Sequence, residues 1–154
     1  MQDGAACRLR RAAWLPGEHT LTLGELQDLG TGLPRDVALD LTNLARPVLL
    51  PPGTARVLLN LLLMGAESMK QGGAIALAGD NDDVFVRLTG PGAAWPGGLA
   101  TYLHDETEAL SALATEAGLH PAFTALLARL SGLRLSLVIP PNQQGQAPIM
   151  RLTR

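Results

Sequence analysis

The sequence predicts an α+β fold, a two-layer α/β sandwich whose sheet has one face against helices and the other against water or a partner. Three observations carry this. Four strand-length runs alternate apolar and polar residues, whereas parallel strands buried on both faces read as continuous apolar runs. One stretch, Thr54–Lys70 (TARVLLNLLLMGAESMK), is apolar round more than one side of a helical cylinder, so it belongs between layers. The chain has 154 residues with 47% hydrophobic content, enough for one domain with a core. Aromatics make up 3%, so Leu, Ala and Val must build that core.

Ala5–Trp14 can be helical, with Arg8, Arg10 and Arg11 crowded along it. Pro16-Gly17 marks a turn, and His19 follows in a polar loop. Thr22-x-x-Glu25 is a capping box, which opens a short helix over Leu23–Leu29 that Gly30, Gly32 and Pro34 end. Val37–Thr42 alternates as a half-buried strand, and the three prolines of 43–53 lead into the long helix. Thr54 is expected to cap that helix, and Gly72 and Gly73 to stop it. Leu58, Leu61, Leu62, Gly65 and Met69 share a face, while Arg56, Asn60 and Glu67 form a polar stripe broken by Leu63 and Met64.

Ala74–Ala78 and Val84–Thr89 read as strands joined by the polar turn 79–83, with Val84, Val86 and Leu88 on one face. A glycine-rich loop, Gly90–Gly98, contains Trp95, expected to be a half-buried lid. Helical pieces follow at Leu99–Leu103, Glu106–Ala117 and Ala122–Leu130, the last with Phe123, Leu126, Leu127 and Leu130 at core spacing. Leu133, Leu135, Leu137 and Ile139 line a further strand. Ile149–Leu152 forms the last one, after a polar loop from Pro140 to Pro148.

Composition excludes several classes. A net charge of −2 offers no field to draw nucleic acid or an anionic membrane. No segment approaches the roughly 20 apolar residues that span a bilayer. Residues 1–11 carry charges where a signal peptide needs an apolar core. Cys7 stands alone, so no internal disulfide or cysteine zinc site can form, and a cytoplasmic location fits. Eleven arginines against one lysine, Lys70, suggest a GC-rich bacterial genome.

Asn60-Leu-Leu-Leu-Met-Gly-Ala resembles the N-box helix of the histidine-kinase ATP-binding (GHKL) fold, whose pattern is N-L-L-x-N-A. With the Gly-Gly-Ala-Ile-Ala-Leu strand after it, the chain is similar to histidine phosphotransferases of the ChpT type, over about Arg8 to Leu152. Their C-terminal domain is a degenerate kinase ATPase domain. The resemblance implies the same GHKL-like sandwich over 15–154, with 1–14 as the end of a helix from an otherwise missing histidine hairpin. That hairpin dimerises the family and carries its phospho-accepting histidine.

The resemblance also implies which positions to inspect. Active kinases place a Mg²⁺-holding asparagine where Met64 stands, and an adenine-reading aspartate where Leu88 stands, ahead of Gly90 and Gly92. A thioether is a poor ligand for a hard cation and leucine accepts no hydrogen bond, so no ATP binding, no metal and no cofactor are expected. Partners implied are a hybrid histidine kinase and response-regulator receiver domains. Docking candidates are Arg8, Arg10, Arg11 and Trp95, against the plainer reading of a solvated helix end and a lid residue.

No histidine here is expected to accept phosphate: His19 is in a loop, His104 at a helix junction and His120 at a helix start. None has the H-D-(L/I)-x-x-P surroundings of the family's box. His104, Asp105, Glu106 and Glu108 diverge round a helix, which favours a capped acidic helix start over a metal site. The glycines of 90–98 suit a surface loop, although their amides could cradle an anion. A drifted ATP-binding kinase domain and a plain adaptor domain are the competing functional readings.

Overall fold

The structure, a computed structural model, describes residues 2–14, 20–139 and 147–154. His19, the Pro16-Gly17 turn and the 140–146 part of the polar loop lie outside them. The elements are α1 (Gln2–Trp14), β1 (Leu21–Thr22), α2 (Leu23–Gly30), β2 (Val37–Leu44), β3 (Leu49–Leu50), α3 (Pro52–Ser68), β4 (Gly73–Asp80), β5 (Asp83–Thr89), α4 (Leu99–His104), α5 (Glu106–Ala112), α6 (Leu119–Leu130), β6 (Arg134–Val138) and β7 (Ile149–Thr153).

The main sheet has the order β2-β4-β5-β7-β6. β2 runs parallel to β4, and the other pairs are antiparallel. The alternation is realised as expected: Ile75, Leu77, Val84, Val86, Leu88, Leu135, Met150 and Leu152 all turn into the core. The opposite face carries partly covered Ala74, Ala76, Ala78 and Phe85 beside exposed Arg87 and Arg151. Helix α3 lies in the middle of the covered side, with Val57, Leu58, Leu59, Leu61, Leu62 and Met64 all buried. The α+β, two-layer sandwich read from the sequence is the fold.

The local signals hold to different degrees. The capping box at α2 is present with both reciprocal bonds, Glu25 N donating to Thr22 Oγ1 and Thr22 N donating to the Glu25 carboxylate. Thr54 does not cap α3. Pro52 opens the helix after Pro51, where its missing N–H leaves no bond unmade, and Thr54 is buried inside the first turn. The helix ends at Ser68 rather than Lys70, and Gly72 lies beyond it in a tight turn with φ of 89°. The proline-rich lead-in contains β3, which pairs with β1 in a small second sheet that two-residue runs do not announce.

Two helices depart from expectation. α5 stops at Ala112 instead of Ala117, because Thr115 Oγ1 donates to Ala112 O (2.8 Å) and accepts from Gly118 N (3.0 Å). Such side-chain bonds compete with the helical ladder. α6 begins at Leu119, and its inner face is Ala122, Thr124, Ala125 and Ala128 beside Leu127. Leu130 is 87% exposed, and Ile139, beyond the end of β6, is 76% exposed. Small residues let α6 approach α3 and α5 closely, and that rotates the larger side chains outward. Among the described residues, no helix is long and apolar enough to cross a membrane.

Candidate functional site

The polar stripe of α3 faces α1 and α6. Asn60 is fully buried. Its Nδ2 donates to Ala13 O (2.9 Å) and to Arg56 O (2.8 Å). With both amide protons committed to carbonyls, Oδ1 is the atom 2.8 Å from His120 Nε2, so that imidazole nitrogen carries a proton and donates. Burial pushes the His120 pKa below its ordinary value, and the Glu67 carboxylate nearby works in the opposite direction. Thr124 closes the group, donating to His120 O at 2.9 Å, with its hydroxyl 4.0 Å from the Met64 sulfur.

Beside this network lies a cavity of about 670 Å³. Met64, Glu67, Ser68 and Lys70 come from the end of α3 and just beyond, Trp95 and Pro96 from the glycine-rich loop, and Glu116 and His120 from the α5–α6 region. Its acidic groups do not gather: among the described residues no three His, Cys, Asp or Glu side chains could hold a metal ion. Asp105, one of the acidic run at 104–108, caps α5 by accepting from Glu108 N at 3.1 Å.

Of the nucleotide-site positions inspected in the sequence, only Met64 lines this cavity. Met64 is buried in its wall. Leu88 is 4% exposed and packs under Gly65, where an added Cβ would come within 2.6 Å of Leu88 Cδ2. Gly90 is needed for backbone approach: its φ is 152°, and a Cβ there would lie 2.7 Å from Gly72 O. Gly92, with φ of 72°, turns the loop.

The docking candidates separate. Arg8, Arg10 and Arg11 are all exposed on α1, whose Leu9 and Ala13 are fully buried. Arg10 lines a second cavity of about 550 Å³, with Trp14, Leu33, Leu63, Glu67 and His120. Arg8 and Arg11 stand outside that lining. Trp95 is buried further than a half-covered lid, at 9% exposure, and its indole N–H donates to Pro148 O at 2.8 Å. Sequence reasoning passed over Trp14. Its ring stacks on Phe123 at 4.5 Å and lies 5.3 Å from His120. An aromatic four residues after Arg10 on the same helical stripe was the available signal.

Residues 23–143 match the family model of the histidine phosphotransferase C-terminal domain. The chain belongs to this family. Among solved structures, a bacterial phosphotransferase aligns with a TM-score of 0.67 and 21% identity, over 98% of this chain and 73% of that one. The cytoplasmic segment of histidine kinase QseC aligns at 0.50 and 15%, over 98% and 89%. Full-length ShkA, in complex with AMPPNP, aligns at 0.53 and 17%, over 98% and 34%. At such identities the likeness shows the fold, which is that of histidine-kinase ATPase-like domains. No curated protein matches the chain in sequence. This histidine phosphotransferase domain, a ChpT-like sandwich, therefore belongs to two-component signalling.

Proposed function

We propose that this domain docks receiver domains in a phosphorelay and does not bind ATP. The observation that carries the second half is Met64, a thioether buried on α3 at the position where the resemblance puts the Mg²⁺-holding asparagine. Mg²⁺ is a hard cation that takes oxygen ligands, and Asn60, one turn before Met64, already engages His120 through its Oδ1. The adenine-reading position offers Leu88 under a helix. The residues present do not fit Mg²⁺-ATP. Calorimetry with Mg²⁺-ATP is expected to give no saturable heat, and micromolar binding would overturn the reading.

Docking is supported by where α1 presents its charges. Arg8, Arg10 and Arg11 sit on a helix whose other face is buried in the sandwich, so they are held on a rigid element rather than a tail. Trp95 contributes through the cavity wall it lines. In this reading α1 is the distal end of a hairpin helix, and phosphate passes from a hybrid kinase's receiver, through the hairpin histidine, to a response regulator. Receiver domains from the source genome, titrated against the domain, should bind. Reversing the three arginines to glutamate should weaken that binding, and unchanged affinity removes them from the surface.

A further inference from the structure

The last carbonyls of a helix have no partner within it. At the end of α1, two of them are met from one face of α3. Arg56 Nη2 donates to Trp14 O at 3.0 Å, and one turn along Asn60 Nδ2 donates to Ala13 O at 2.9 Å. A guanidinium at a helix C-terminus also complements the helix dipole. From the opposite side α6 grips the same end, with Phe123 and His120 against the Trp14 ring. His120 then ties back to Asn60, so three helices meet through two hydrogen-bonded links and one aromatic contact.

We infer that Asn60 is a positioning residue: with Arg56 and His120 it clamps the C-terminal end of α1 and fixes the direction in which α1 leaves the sandwich. Asn60, the first residue of the N-box-like run, is the shared bolt of a helix joint. Its two amide protons and its oxygen address three different elements, and no other residue type of that size offers both functions. The inference deepens the docking proposal, because the clamp would hold Arg8, Arg10 and Arg11 in a set relation to the rest of the surface.

The test does not depend on a receiver. Hydrogen exchange of the α1 amides from Leu9 to Trp14 is compared with that of β4, whose amides report global unfolding. Asn60→Ala and His120→Ala should each speed α1 exchange at least about tenfold relative to β4. His120→Gln, which can still donate to Asn60, should restore most of the protection. If Asn60→Ala does not fold, Arg56→Ala serves in its place with the same expectation. Equal acceleration of α1 and β4, or no rescue by glutamine, would overturn the clamp. Receiver titration of the same variants tests docking separately: a loosened α1 with no receiver bound by the wild type refutes docking and keeps the clamp.

Discussion

Asn60 Oδ1 and His120 Nε2 lie 2.8 Å apart and join α3 to α6 directly beneath the end of α1. The bond is part-buried, and the partial burial of His120 gives it a pH dependence of definite sign. Burial lowers the folded pKa of His120 below 6.5, so between that folded value and 6.5 the unfolded chain binds more protons. Stability contributed by the neutral imidazole is complete above 6.5 and is lost as pH falls through the folded value. Urea midpoints measured from roughly pH 8 to 5 should show wild type converging on His120→Gln as pH drops. A gap between the two that stays constant across the range would contradict this.

Leu88 cannot be replaced by an aspartate without cost. Its side chain is buried against Gly65. Leu88→Asp should destabilise the fold by about 4 kcal/mol, the scale for an unpaired buried charge. Chemical denaturation measures this, and Leu88→Asp alone should still fail to bind Mg²⁺-ATP while Met64 offers no oxygen to the metal.

The junction between β4 and the glycine-rich loop depends on backbone contact. A Cβ on Gly73 would lie 2.4 Å from Thr89 O, with φ at 157°, whereas a Cβ on Gly92 meets nothing closer than 4.0 Å. Gly73→Ala should therefore cost about 3 kcal/mol through clash and strain. Gly92→Ala should cost about 1 kcal/mol, from its left-handed φ alone. Denaturant midpoints of the two variants should rank in that order.

Trp95→Phe keeps the ring but removes the N–H that reaches Pro148 O. The expected loss is about 1 kcal/mol, one hydrogen bond's worth. A loss several times larger would mean that indole packing, rather than the bond, secures the loop to β7.

Much of the architecture was legible before any coordinates. Alternation in 84–89 and 149–152 marks the inner face of the sheet correctly, because strand periodicity is a local property. The Thr22–Glu25 capping box is equally local, and it forms. Thr54 fails as a cap because Pro52 starts the helix earlier, whereas the misplacements at Leu130 and Ile139 share another cause. Each depended on which neighbour covers the residue, and hydrophobic spacing alone does not say how far a helix is rotated or where a strand loses its cover.

The candidate site divides the same way. By itself the sequence determined that positions 64 and 88 carry a thioether and an isobutyl group, whose chemistry as poor partners for a hard cation or a hydrogen-bond donor does not depend on context. It also determined the sandwich, because an amphipathic strand must bury one face whatever its neighbours are. Only the tertiary structure decided the role of Asn60. An amide side chain can serve a metal, a ligand or a helix end. Ala13 and His120 are brought to it from elements 47 and 60 residues away in the chain, a convergence that no local pattern encodes.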